Sequence, residues 1–146
     1  MADIPAGFEP IFRLSEFTEL IGPLYSRQDE SGFRMGLHFA DKHANARGKG
    51  HGGMISTLAD LAMGYALAFS ETPPVPFVTV NMNVDFLSAI ELGDWVEVSV
   101  NIDRKGRSLA FARCELKAGE RLLGRASAVF KSTGEALEPY RGENHD

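Results

Sequence analysis

Hydrophobic residues follow two different periods along this chain. From Gly53 to Phe69 the residues Met54, Ile55, Leu58, Leu61, Met63, Tyr65 and Leu67 leave almost no polar face. A helix that is apolar nearly all round is expected to be buried. Pro73, Pro74 and Pro76 within Ser70–Pro76 must end it, because proline lacks the amide hydrogen that a helix uses. Beyond them the period drops to two. Val78, Val80, Met82, Val84 and Phe86 alternate with Thr79, Asn81, Asn83 and Asp85, and Val96, Val98, Val100 and Ile102 alternate with Glu97, Ser99, Asn101 and Asp103. Both segments, Val78–Leu87 and Trp95–Asp103, read as half-buried strands.

Glycine-containing turns at Arg104–Ser108 and Ala118–Arg121 connect two further strands, Leu109–Lys117 and Leu122–Lys131, as hairpins. Before the helix, Ser15–Ile21 reads as a short helix capped by Ser15. Leu24–Gln28 and Phe33–Phe39 read as strands around the turn Asp29–Gly32, and Ala40–Gly50 reads as a loop. Short hairpins cannot build a parallel sheet, which needs long crossovers. The expectation is an α+β fold in which one buried helix is wrapped by one curved antiparallel sheet, with four strands in succession after the helix. A single domain spanning 1–146 is expected, with residues 1–14 a loosely held arm and 132–146 a frayed polar tail.

Charge and composition narrow the function. The chain of 146 residues carries 20 acidic and 15 basic side chains, a formal net charge of −5. That balance argues against nucleic acid as the main partner, although a local basic cluster can still hold one phosphate. A single cysteine, Cys114, allows no internal disulfide and fits a reducing compartment. The opening residues lack a basic start followed by an apolar run, so no secretory signal is expected. The apolar helix is too short and, with Asp60, too charged for a membrane span. A cytoplasmic protein is the expectation.

The candidate chemistry sits at the start of that helix. Gly48, Gly50, Gly52 and Gly53 surround His51. Glycines at a helix entrance leave bare backbone N–H groups that have no partner within the helix. Together with the positive end of the helix dipole, these form a receptor for a developing negative oxygen. A plain tight turn is the other reading of such a cluster. Asp60 stands alone as a carboxylate in this apolar helix, so it must be hydrogen-bonded, partly solvated or kept for chemistry.

Asn45, Gly48, His51-Gly52-Gly53, Leu58-Ala59-Asp60 and Ala62 resemble the signature of hotdog-fold thioesterases of the phenylacetate-degradation (PaaI-like) type. The likeness runs from about Phe17 to Lys131 and includes Ile90-Glu91-Leu92-Gly93-Asp94. It implies a hydrolase acting on an acyl- or aroyl-coenzyme A (CoA), without metal or other cofactor, as a homodimer that often pairs again into a homotetramer. By position, Asp60 matches the catalytic carboxylate and Gly52 the residue whose N–H polarises the thioester carbonyl. Asn45 matches the polar residue near that carbonyl, and Thr79 a hydroxyl near the attacking water, where some relatives have serine. Gly53 is grouped with substrate binding. His51 is expected either to hydrogen-bond within the glycine turn or to touch substrate.

Gly52 and Asp60 lie eight positions apart, about 12 Å along a helix at roughly 1.5 Å per residue. One thioester carbon cannot be reached by both within about 3 Å, so a shared site requires two chains. The turn containing Arg104, Lys105 and Arg107 is a candidate contact for the CoA phosphates, as are Arg47 and Lys49. Rival readings are weaker. His38, His43 and His51 match no zinc spacing. Gly48–Gly53 fits a dinucleotide-binding G-x-G-x-x-G with Glu71 beyond it, but that motif needs a strand before and parallel strands after. An acyl-CoA-binding protein without turnover is the remaining alternative. Met54, Met63, Leu67, Phe69 and Phe77 are candidates for either the core or an acyl pocket.

Overall fold

The computed structural model describes residues 3–11 and 13–136. In chain order the elements are β1 (Glu9–Pro10), α1 (Glu16–Ile21), β2 (Tyr25–Asp29), β3 (Gly32–His38), a 3-10 turn (Asp41–His43), α2 (Gly52–Ala68), β4 (Phe77–Phe86), β5 (Trp95–Lys105), β6 (Leu109–Ala118) and β7 (Arg121–Ser132). All strands join one antiparallel sheet in the order β1-β2-β3-β5-β6-β7-β4, and it curves round α2. The expected helix and strands are present, each within a few residues of the expected bounds.

The core lies between the sheet and one side of α2. Leu58, Ala59, Ala62, Met63 and Leu67 of the helix are fully enclosed, packed with Met35, Leu37, Val96, Val98, Leu116, Leu123 and Phe130 of the strands. In β6 the alternation is strict: Ala110, Ala112, Cys114 and Leu116 are buried, and the residues between them are exposed. That is what period-two side chains do when one sheet face meets a helix.

Four expectations change. The N-terminal arm is held: β1 pairs with β2, and Phe8 and Ile11 are buried. No period in so short a segment announces this, because the pairing is made by two residues only. The succession of strands after α2 breaks at its first step. β5, β6 and β7 follow one another as hairpins, but β4 pairs with β7 at the sheet's end rather than with β5. Residues 87–94 carry the chain back across the sheet, and the local pattern cannot distinguish such a crossing from a loose turn. β4 is consequently an edge strand, and its apolar residues are less covered than their alternation implies: Val78, Val80 and Phe86 are more than half exposed. Finally, α2 is not buried all round, since Asp60, Leu61, Gly64 and Tyr65 reach the surface in part. Most of the frayed tail expected at 132–146 lies outside the described residues.

The crossing segment has a structural task of its own. Ile90 is fully buried, and its carbonyl accepts the Gly50 N–H at 2.8 Å. A Cβ at Gly50 would stand 2.7 Å from that of Ile90, so only glycine allows the approach. The Phe39 N–H donates to Asp94 and the Gly93 N–H to Phe39. This clamp fixes where α2 begins.

Candidate active site

Two regions carry the candidate residues, and they lie at different points along α2. At its N-terminus, Asn45 organises the approach: its Oδ1 accepts the N–H groups of Arg47 (2.9 Å) and Lys49 (3.1 Å). Its own backbone N–H donates to the Lys49 carbonyl at 2.7 Å. Gly48 sits at φ +76°, a conformation that side chains disfavour. Lys49 pairs with Glu91 at 2.7 Å, which stitches this loop to the crossing segment and holds the Glu91 carboxyl below its usual pKa, by hydrogen bond first and charge second.

His51 is the N-cap of α2. Its Nδ1 accepts the Gly53 N–H at 2.8 Å, and a Cβ at Gly53 would come within 2.9 Å of that nitrogen. Gly53 is therefore glycine so that the cap can close. With the Gly53 amide engaged, the Gly52 N–H is left with no acceptor among the described residues. A bare, dipole-aligned amide at a helix start suits an oxyanion. The Asn45 side-chain NH2 likewise has no acceptor there.

His43 supports the entrance from beneath. Its carbonyl accepts the His51 N–H, its Nδ1 accepts from Ala40, and its Nε2 donates to the Ile21 carbonyl at 2.6 Å. Burial pushes its pKa down, favouring the neutral ring that this pattern requires. Both nitrogens are thereby occupied structurally. Among the described residues no group of three or more His, Cys, Asp or Glu side chains is arranged to hold a metal. The parallel strands that the dinucleotide reading needs are missing as well, since every named strand pair is antiparallel.

Two turns along α2, Asp60 opens into an apolar groove of about 210 Å³. Thr79 on β4 donates its hydroxyl to Asp60 Oδ1 at 2.5 Å, which orients the carboxylate, and its second oxygen has no hydrogen-bond donor among the described residues. The groove continues past Leu61, Gly64 and Phe77 to Tyr65 and Phe69, with Arg13 of the N-terminal arm at its margin. Tyr65 donates its hydroxyl to the Arg13 carbonyl, and burial raises its pKa. Gly52 and Asn45 do not line this groove. The structure thus brings Asp60 and Thr79 together and holds Asn45, His51, Gly52 and Gly53 at the far end of the same helix.

The other candidates divide. Met54, Met63 and Leu67 are core, whereas Phe69 and Phe77 border the groove. Lys105 is engaged by Ser70 and by Glu71 at 3.3 Å, while Arg104 and Arg107 are exposed with no ion-pair partner among the described residues. Leu61, Gly64, Tyr65 and Ala68 were not singled out by the sequence as groove residues. Their spacing from Asp60 (one, four, five and eight) is a helical stripe that could have revealed them. Arg13 gave no local signal.

A central helix gripped by a curved antiparallel sheet, with an apolar groove holding one carboxylate on the helix's open side, is the architecture of the hotdog fold. The family described as "Thioesterase superfamily" matches residues 48–130. A Pseudomonas aeruginosa protein named "Putative esterase PA0474" is 46% identical over 131 residues, covering 89% of this chain and 98% of that one. Mouse acyl-coenzyme A thioesterase 13 is 34% identical over 105 residues, covering 72% of this chain and 66% of its own length. The E. coli PaaI protein of the phenylacetic acid degradation operon shares the fold, with a TM-score of 0.76 at 17% identity over 85% of this chain and 88% of that one. The chain belongs to the thioesterase superfamily and is a thioester hydrolase.

Proposed function

We propose that the protein hydrolyses an acyl- or aroyl-CoA to the free acid and CoA, at a site shared between two copies of the chain. One observation carries this reading. Asp60 opens into the groove, while the Gly52 N–H, without an acceptor among the described residues, lies eight residues back on the same helix and outside that groove. At about 12 Å along the axis the two cannot serve one carbonyl, yet a two-fold partner can bring its own Gly52 to this chain's Asp60. The free edge of β4, ten residues long with Val78, Val80 and Phe86 exposed, is the natural pairing surface for that partner.

The mechanism follows from these parts. The partner copy's helix-start amide and the equivalent asparagine NH2 donate to the thioester oxygen as negative charge grows on it. Asp60, oriented by Thr79, either attacks the acyl carbon, displacing CoA thiolate and leaving an anhydride for water to cleave, or deprotonates a water that attacks instead. Labelled solvent oxygen entering Asp60 during a single turnover marks the first route. Arg104 and Arg107 supply unpaired positive charge for the CoA phosphates, and removing both should raise KM. Dimers pairing again as tetramers and a cytosolic location complete the reading. The single thiol fits that location: Cys114 is buried, which pushes its pKa up to about 12.

The test uses two dead variants. Asp60→Asn removes the carboxylate. Gly52→Pro removes the N–H where proline is well suited, since Gly52 is the first residue of α2 and His51 already sits at φ −71°, ψ 133°. Co-expressed, they form mixed dimers in which one of the two sites has both wild-type groups, so thiol release should reappear at up to about half the wild-type level in mixed dimers. Mixed dimers as inactive as either parent would refute a shared site. Absence of thiol release from every CoA ester offered to the wild type would refute the activity itself.

A further inference from the structure

The Asp60 groove does not end in solid core. Tyr65 and Phe69 close it, and the same two residues form a wall of a second cavity of about 530 Å³. That cavity is bounded on its other sides by the β2–β3 hairpin, at Gln28 and Phe33, and by Val100 and Ile102 of β5. Tyr65 and Phe69 line both spaces, their ring centroids 5.9 Å apart at 31°. The pair is also pinned, because the Tyr65 hydroxyl donates to the backbone carbonyl of Arg13 and so ties the ring to the N-terminal arm. Beside it Gly64 contributes no side chain, which leaves the groove open as far as the rings.

We propose that the Tyr65–Phe69 pair is a gate that sets the length of the acyl group. This rests on the thioesterase reading and adds the substrate class. From Asp60 to Tyr65 is five residues, about 7.5 Å along the helix. The groove of about 210 Å³ is comparable to the apolar cavity of roughly 150 Å³ that accommodates benzene. An acyl group with its carbonyl at Asp60 and its tail directed along α2 meets the rings after a phenyl-sized or short aliphatic length. Longer chains must displace Tyr65 and break its bond to Arg13. The second cavity has a partly polar lining from Ser26, Gln28 and Ser31. It offers room behind a lining whose apolar share is smaller than the groove's, and an acyl chain reaches it only when the gate is gone.

The experiment is a chain-length series of straight acyl-CoAs from butyryl to palmitoyl, together with phenylacetyl-CoA, read as kcat/KM. Wild type should favour the short and phenyl-bearing esters. Tyr65→Ala, and independently Phe69→Ala, should raise the palmitoyl-to-butyryl ratio by at least roughly tenfold, the scale on which a pocket discriminates small changes in apolar bulk. Tyr65→Phe, which keeps the ring and removes only the tether, should shift the ratio in the same direction by less. A wild type that already prefers palmitoyl-CoA would overturn the gate, even if neither alanine variant folds. So would an unmoved ratio in a folded alanine variant. Either result leaves the thioesterase reading standing, whereas a wild type inactive on the entire series overturns both.

Discussion

The two faces of α2 have opposite properties although they are wound from one segment. The inner face, with Leu58, Ala62, Met63 and Leu67, has lost all contact with solvent and is packed by five strands. The outer face, with Asp60, Leu61, Gly64 and Tyr65, is only half covered and borders empty volume. Close packing stabilises the first, since each buried methylene adds about 0.8 kcal/mol. The second forgoes that gain and retains a carboxylate, a missing side chain and a groove. A hydrophobic helix can thus hold the fold together on one side while keeping room for chemistry on the other.

Substitutions on the two faces should therefore separate stability from turnover. Leu58→Ala empties part of a fully enclosed site and should cost about 2–5 kcal/mol of folding stability in denaturant titration. A cost below about 1 kcal/mol would mean that the inner face is looser than its burial indicates. Asp60→Asn should do the reverse, leaving the melt near wild type and lowering kcat by at least roughly 10²-fold. An unchanged rate would remove Asp60 from the reaction. Thr79→Val preserves shape but deletes the hydroxyl that orients the carboxylate. It should slow turnover about tenfold, equivalent to roughly 1.4 kcal/mol, with Thr79→Ser restoring most of the loss. If serine and valine behave alike, the hydroxyl has no positioning role.

The smallest effect is expected at Gly64. A Cβ there would lie 3.7 Å from the Phe130 ring, ordinary contact distance. Gly64→Ala should stabilise the helix by about 0.5–1 kcal/mol. The same methyl protrudes into the groove, so kcat/KM for the bulkiest esters should fall as the melting temperature rises. A stabler protein with an unaltered substrate profile would place the acyl group elsewhere.

Particular residues show how far the sequence could be read. The helix, the later hairpins and the positions of the glycines and of Asp60 along that helix were legible because periodicity and composition are local. Ser15 was legible as a cap for the same reason: its side chain needs only the N–H three residues on, and that bond forms. The place of β4 beyond β7 was not legible, because it depends on which edge remains open after β5, β6 and β7 have zipped together. Neither was the anchoring of Phe8 against Trp95 and of Ile11 in the core, nor the approach of Arg13 to Tyr65 across 52 positions of chain.

What the sequence determined by itself is the set of elements and the chemical groups each carries, since backbone propensity and side-chain period act over a few residues. Only the tertiary structure decided which side of α2 faces empty space, that Thr79 meets Asp60, and that the Gly52 amide has no acceptor among the described residues. Those outcomes depend on contacts between segments far apart in the chain, and short-range preference carries no information about which distant surfaces will meet.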